Sequence, residues 1–228
     1  MLLKPLQFNT MDKPIESYWN HRLTECKTAL EKNNFDAYIA DTISQAGALI
    51  TDELLPALRP HSVSWGDSES MLKTGIIETV EKMPGIELIK TFEASVAREE
   101  IIERRRQALL TDLFFTGSNA VTEAGQLVNL DMVGNRVGGI TFGPRQVVIV
   151  VGRNKIVADL ESAMRRIRDY AAPLNAIRHP GWKTPCVKTR RCHDCKSPDR
   201  ICNVWTITEK SYPKGRIKVI LVNEDLGL

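Results

Sequence analysis

The sequence has few of the features that mark secreted, membrane-bound or strongly charged proteins. Its longest strongly apolar run, residues 147–151, is far shorter than the roughly 20 residues of a membrane-spanning helix. Pro5 interrupts the N-terminal segment before the apolar core of a secretory signal can form. The formal net charge is only +3 over 228 residues, so bulk charge gives no reason to expect a nucleic acid or a membrane as partner. We therefore expect a cytoplasmic protein.

Cysteine is scarce outside one short segment. Of the five cysteines, Cys26 lies on the apolar stripe of a predicted helix and is expected in the core, whereas Cys186, Cys192, Cys195 and Cys202 follow the spacing C-x5-C-x2-C-x6-C. In a reducing compartment such a cluster indicates a metal or redox site rather than a disulfide framework. Four thiolates are a ligand set for zinc and for iron–sulfur clusters. Structural zinc, an iron–sulfur cluster and free or redox-active thiols all remain as alternatives.

The composition changes near residue 176. Residues 178–202 contain seven Lys or Arg and two Asp, a net charge of +5 against +3 for the whole chain. We expect residues 1–228 to form a single domain that contains a cysteine-rich basic segment at 178–203. One interpretation of this segment is a zinc-stabilised docking or nucleic-acid-binding module, but a run of charge is more often a solvated face, and Trp182 is its only aromatic residue.

Short apolar runs alternate with amphipathic stretches along most of the chain. Periodicity predicts helices at residues 12–33, 43–55 (ended by Pro56), 68–83, 96–110, 135–141 and 155–171 (capped by Asn154). It predicts strands at residues 35–40, 62–65, 86–90, 112–116, 126–130, 146–151, 204–207 and 216–222. Such alternation indicates a three-layer α/β/α fold with a mostly parallel sheet covered on both faces.

Two loops that follow predicted strands are candidate ligand sites. The first contains Gly66 and Ser68 at the start of a helix, where backbone N–H groups can receive an anion. The alternative is an ordinary tight turn with an N-cap residue, and the carboxylate of Asp67 counts against an anion there. The second loop region is rich in glycine and amide side chains, with Gly117, Asn119, Asn129, Gly134, Asn135 and Arg136 as the candidate ligand-binding residues.

Two side chains in the second region have more specific alternatives. The guanidinium of Arg136 is able to pair with a carboxylate or phosphate, while the bland alternative is that the polar residues satisfy loop backbone. Glu123 is a weak candidate for a catalytic nucleophile or base if it is desolvated. A lone carboxylate beside a turn is more often simply solvated.

Several segments together resemble the LUD (lactate-utilisation) family. They are FTG at 115–117, GQLVN at 125–129, GNRV at 134–137, FGP at 142–144, VIVV at 148–151, NKIV at 154–157, AAPLN at 171–175, PKGRI at 213–217 and LVNEDLG at 221–227. The resemblance covers nearly the whole chain and is most specific in its second half. One departure is Asp67, which stands where the family usually has a second glycine, and this weakens any transfer of anion binding to that loop.

The resemblance implies a fold and a general pathway. The family is similar to the superfold of ribose-phosphate isomerases, glucosamine-phosphate deaminases and CoA-transferases, so it implies the same three-layer α/β/α core. Some members are found beside iron–sulfur subunits in bacterial lactate oxidation, which implies an accessory or catalytic subunit that binds a small anionic metabolite and works with redox partners. The alternative is a stand-alone enzyme acting on a sugar phosphate or CoA ester, and residues 123–125 resemble the Glu-x-Gly turn of CoA-transferases at the level of fold analogy.

Overall fold

The structure is a computed structural model that describes residues 12–93 and 95–228. Its strands are β1 (Asp36–Ala40), β2 (Ser62–Trp65), β3 (Glu87–Ile89), β4 (Leu113–Gly117), β5 (Ala120–Thr122), β6 (Leu127–Asp131), β7 (Gln146–Gly152), β8 (Ile156–Val157), β9 (Val204–Thr208) and β10 (Ile217–Val222). Its α-helices are α1 (Asp12–Lys32), α2 (Ile43–Ala48), α3 (Leu55–Leu58), α4 (Glu69–Leu72), α5 (Ile76–Val80), α6 (Arg98–Gln107), α7 (Asn135–Thr141), α8 (Leu160–Arg166), α9 (Ala172–Arg178) and α10 (Pro185–Thr189). No helix in the described ranges is both long and apolar enough to cross a bilayer.

A six-stranded sheet forms the centre of the molecule, in the order β1-β10-β7-β4-β2-β3. Every neighbouring pair in it is parallel. Strand β7 shows why both faces are covered: Val148 and Val150 belong to one core cluster, and Val147, Ile149 and Val151 belong to the other. Because side chains alternate along a strand, helices must lie on both faces. The predicted three-layer α/β/α fold is confirmed.

A second, four-stranded sheet in the order β8-β5-β6-β9 covers part of one side. Strands β5 and β6 form an antiparallel hairpin, and its turn contains Gly125 with a φ of 77°. A Cβ at Gly125 would stand 2.6–2.8 Å from backbone atoms of Ala29 and Leu30 in α1. This glycine therefore permits both the turn and the close approach of α1. The short strand β5 was not predicted from the sequence.

Three predicted helices differ from the observed ones. The helix predicted at residues 43–55 continues to Leu58 through a π-helical turn, Leu49–Leu54, and Pro56 lies in the first turn of α3, where its missing N–H is not needed. The helix predicted at 68–83 is broken at Gly75, whose φ of 70° is left-handed. The predicted start at residue 155 was also wrong: residues 156–157 pair with β5 as β8, and Asp159 caps α8 by accepting from Ser162 N at 2.7 Å.

Candidate functional site

A cavity of about 480 Å³ opens where the central strands end. Three of its lining residues lie at or just after the ends of these strands: Ser68 follows β2, Gly117 ends β4 and Lys155 follows β7. The remaining walls come from α6, from the connection between β6 and α7, from α9, and from the segment after α9. This is the carboxyl edge of a parallel sheet, where ligands of α/β proteins usually bind.

The structure brings together most of the residues predicted to bind a ligand. Ser68, Gly117, Asn119, Asn135 and Arg136 all line the cavity. The other three do not: Gly66 lies beneath Arg136, Gly134 starts α7 with a φ of 94°, and Asn129 is fully buried. These three residues therefore lie near the cavity without lining it. A ligand contact for any of the eight predicted residues stays a prediction.

Arg136 is buried and binds the protein itself. Its Nη1 donates to Gly117 O at 3.2 Å and Asn129 Oδ1 at 2.7 Å, and its Nη2 donates to Asn119 Oδ1 at 2.8 Å and Leu130 O at 3.0 Å. All four terminal N–H groups of a guanidinium are thereby used. Arg136 thus fixes the ends of β4 and β6 relative to each other, and it shapes the rim of the cavity.

The loop between β2 and α4 is closed by an ion pair. Asp67 accepts from Arg178 Nη2 at 2.5 Å, and Glu69 accepts from Arg178 Nη1 at 2.7 Å. Ser68 caps α4 by accepting from Met71 N at 3.3 Å. The carboxylate of Asp67 therefore joins this loop to α9, and its effect on an anion at this loop stays a prediction.

Lys155 is the most unusual side chain of the cavity. It is 5% exposed, and its Nζ donates to Ser70 Oγ at 3.0 Å. No carboxylate in residues 12–93 or 95–228 forms a salt bridge with it. Burial, followed by the positive charges of Arg166 and Arg136, lowers the pKa of Lys155 from 10.5 to about 7. The cavity therefore contains an amine that is close to half protonated at neutral pH.

Other cations add to the positive character of this space. Five cationic side chains line it (Arg98, Arg105, Arg136, Lys155 and Arg178) against three carboxylates (Asp67, Glu69 and Asp131). The guanidinium of Arg105 stacks 5.0 Å from the Phe92 ring centroid, and burial lowers its pKa. Within the described residues its buried Nε has no hydrogen-bond acceptor. A cationic cavity with unused donors suits an anionic ligand.

Glu123 lies away from this cavity. Its carboxylate pairs with Arg22 Nη2 of α1 at 2.7 Å, and its side chain is 46% exposed. A half-exposed carboxylate in an ion pair fits the solvated alternative better than a desolvated base. A catalytic role for Glu123 stays a prediction, with no geometric support from the cavity.

The four clustered cysteines face a second, smaller cavity of about 30 Å³. All four are free thiols and partly exposed, whereas Cys26 lies on the buried face of α1, where burial raises its pKa to about 12. Burial and then the neighbouring Cys192 raise the pKa of the Cys202 thiol to about 11. The four cysteines of this segment therefore border one small cavity.

Sequence reasoning missed Lys155, Arg105 and Arg178 as cavity residues. The periodicity places Lys155 in a helix, although Arg153 and Lys155 both come within three residues of the end of the buried strand β7, which is a usable signal for this edge of the sheet. The other two come from α6 and α9, and only tertiary packing brings them to the strand ends. No local pattern distinguishes them from ordinary surface arginines.

An all-parallel sheet, helices on both faces and a cationic cavity at the strand ends define an α/β protein with a candidate anion site. The model of the LUD domain matches residues 23–222, and the chain belongs to the LUD domain family. Family membership associates it with lactate utilisation in general. The crystal structure at 1.70 Å of a DUF162 family protein from Deinococcus radiodurans is similar, with a TM-score of 0.50 and 12% identity, covering 90% of this chain and 98% of that chain. At this identity the similarity concerns the fold alone, and no curated protein matches the chain.

Proposed function

We propose that this LUD-family chain binds a small organic acid in the 480 Å³ cavity and serves, with redox partners, as a subunit of lactate or related organic-acid oxidation. The observation that carries the proposal is the buried amine of Lys155, which lacks a carboxylate partner among the described residues. Folding alone does not favour such a group, because desolvation of an ammonium is costly. A bound carboxylate supplies the missing negative charge.

The surroundings of Lys155 suit a carboxylate rather than a neutral ligand. Arg136 and Arg166 each lower the pKa of Lys155 by their positive charge, and an anion bound beside Lys155 offsets this repulsion. Arg166 is held by backbone oxygens, donating to Asn119 O at 2.8 Å, Asn154 O at 3.1 Å and Leu228 O at 3.4 Å. Its positive charge is felt at Lys155 and adds to the field that attracts an anion there.

The volume of the cavity favours a second candidate function. About 480 Å³ lies in the usual range of about 300–1,000 Å³ for sites of drug-sized ligands and is more than a three-carbon acid fills. A sugar phosphate or part of a CoA ester also carries negative charge, which could pair with the cationic side chains of Lys155 and Arg105. The alternative proposal is therefore a stand-alone enzyme for one of these substrates.

Calorimetric titration at pH 7 tests the carboxylate proposal. L-Lactate, a sugar phosphate and a CoA ester are titrated separately, each in two buffers of different ionisation enthalpy that contain no carboxylate or phosphate. Binding of a carboxylate at Lys155 raises the pKa of the amine, so we expect uptake of about half a proton per ligand at pH 7 and almost none at pH 5.5. Lactate that fails to bind, or that binds without proton uptake, contradicts the proposal.

Two variants localise the binding. Lys155→Met should abolish proton uptake and weaken binding at least tenfold. Lys27→Met removes the same charge from α1, where Lys27 pairs with Glu31, and should change neither. For the redox role, lactate oxidation is measured in extracts from cells with the gene, without it, and with the Lys155→Met form. Equal turnover in all three contradicts a role in lactate oxidation, while binding of only the sugar phosphate or CoA ester favours the alternative enzyme.

A further inference from the structure

The cysteine-rich segment has little apolar material with which to hold its conformation. Of residues 186–202, only Ile201 is a buried apolar residue. Helix α10 ends at Thr189, and no regular element follows until β9 begins at Val204. A basic chain that buries so little apolar surface does not readily offset the entropy lost when it is ordered. An additional constraint is needed to fix this segment, and a metal ion is one that small regions commonly use.

The four cysteines of this segment line one small cavity, and Cys26 is not among them. Cys186, Cys192, Cys195 and Cys202 all line the 30 Å³ cavity. The tight pair Cys192 and Cys195 provides two ligands from one turn, and Asp194 within that turn adopts a left-handed φ of 44°. A cavity of this size has room for one or a few atoms, about the volume of one or two water molecules. A single ion needs no more room than this cavity offers.

Hydrogen bonds already orient the proposed ligands. The backbone N–H of Asp194 donates to Cys192 Sγ at 3.4 Å, and Thr184 Oγ1 lies 3.1 Å from Cys186 Sγ. Donors directed at a sulfur favour its thiolate form and fix its direction. These are the contacts expected around metal-bound thiolates.

Arg200 stabilises the turn that contains Cys192 and Cys195. Its guanidinium donates to Cys195 O at 2.5 Å, to Cys202 O at 2.9 Å and to Asp194 Oδ1 at 2.9 Å. It thereby connects the central pair to the last cysteine. It also places a positive charge beside the site, where four thiolates around Zn²⁺ leave a net charge of −2.

We propose that Cys186, Cys192, Cys195 and Cys202 bind one zinc ion as a closed tetrathiolate site. Zinc–sulfur distances of about 2.3 Å require the sulfurs to approach more closely than they do here. Among the described residues no three His, Cys, Asp or Glu side chains are gathered as ligands of one ion. Binding therefore draws the turn of Cys192 and Cys195 towards Cys186 and Cys202, within a stretch that has no regular structure to resist it.

The zinc site has a consequence for the larger cavity. Ile201 lines both cavities, and Trp182 and His179 of the same segment line the larger one. An ion that fixes residues 186–202 therefore also fixes one wall of the proposed ligand site. Only this consequence rests on the proposed function, because zinc binding itself requires no ligand in the larger cavity.

Metal analysis of the purified full-length chain, prepared without a histidine tag under anaerobic conditions, tests the site. We expect one zinc per chain and a colourless protein. Titration with a mercurial reagent should release one zinc as four thiols react, and this measurement needs no variant to fold. Cobalt exchanged for zinc should give the intense visible bands of tetrahedral thiolate coordination.

Variants identify the ligands. Cys192→Ser/Cys195→Ser should lower zinc content to below a tenth of an ion per chain, whereas Cys26→Ala, which alters the only cysteine outside the segment, should retain the full amount. Zinc that persists in the double variant overturns the proposal. So does a reduced chain that neither contains nor takes up zinc, and so does a brown protein with iron and sulfide at these cysteines.

Discussion

Replacing Lys155 with methionine should stabilise the protein at neutral pH, contrary to the usual effect of a substitution in a buried position. The depression of its pKa from 10.5 to about 7 corresponds to an upper limit of about 5 kcal/mol of unfavourable free energy at low pH. Methionine has a similar length and carries no charge. Loss of the hydrogen bond to Ser70 Oγ costs about 1 kcal/mol, and imperfect packing offsets part of the remainder. We expect a net gain of about 2–3 kcal/mol, or roughly 5–10 °C in Tm.

The gain should depend on pH in a defined direction. Between about pH 7 and 10.5 the unfolded chain protonates this lysine while the folded chain does not, so this group makes the stability of the native sequence rise with pH across that window. The advantage of Lys155→Met over the native chain is therefore largest at pH 7 and below. It falls as the pH rises and becomes a net loss near pH 10.5, where only the lost hydrogen bond and the imperfect packing remain.

Urea unfolding at pH 6, 7.5 and 9, at constant ionic strength, measures the difference. Lys218→Met is the matched control, because Lys218 is also buried but its Nζ lies 3.4 Å from Asp36 Oδ2 and donates to Gln146 Oε1 at 2.7 Å. Its removal deprives Asp36 and Gln146, which are only partly buried, of this donor and should destabilise the fold. If Lys155→Met is less stable than the native chain at pH 6, or if its gain does not vary with pH, the account of Lys155 as an uncompensated buried amine is wrong.

Three further predictions concern the framework and the cavity wall. Gly125→Ala should lower the free energy of unfolding by more than about 2 kcal/mol, because the turn has a positive φ and the new methyl meets the backbone of α1; a thermal melt unchanged within 2 °C contradicts this. Arg136→Lys should cost about 2–4 kcal/mol in urea unfolding, since one ammonium cannot reach the four acceptors, whereas Arg106→Lys on the surface should stay within about 0.5 kcal/mol. Removal of zinc by a chelator should weaken ligand binding in the large cavity at least threefold and speed amide exchange in residues 190–203 while β7 is unaffected; equal affinity with and without zinc shows that the ion does not fix the wall.

The sequence was sufficient for the layers of the fold but not for the full extent of the cavity. The run at residues 146–151 is apolar at every position from Val147 to Val151, which predicts a strand buried on both faces, and β7 is such a strand. By contrast, the short strands β5 and β8 are stabilised by pairing with each other, and residues 156–157 carry no pattern that separates a two-residue strand from the start of a helix. Elements of this length depend on their neighbours, so local periodicity does not reveal them.

The same distinction applies to the site. Gly117 and Asn119 directly follow a predicted strand, so their place at the cavity was predictable from the rule that parallel strands end together. For Arg136 the sequence leaves two alternatives, a ligand or the loop itself, and in the structure its terminal N–H groups bind Asn119, Asn129 and two carbonyl oxygens. An arginine near a loop has the same appearance in the sequence whether its acceptors belong to a ligand or to the protein. Only the hydrogen-bond partners distinguish these cases.

Two energetically unfavourable features of the chain lie beside the larger cavity. Lys155 is a buried amine without a carboxylate among the described residues, and residues 186–202 form an ordered segment with almost no core. Natural sequences tend to keep such costs where function requires them. The desolvation of Lys155 is offset by a bound anion, and the ordering of the cysteine segment is offset by a bound cation. Ile201 lines both cavities and so connects the two sites. A cation that orders the wall and an anion that fills the cavity should therefore assist each other. By linkage, if zinc strengthens the binding of the ligand, the bound ligand must strengthen the binding of zinc by the same factor.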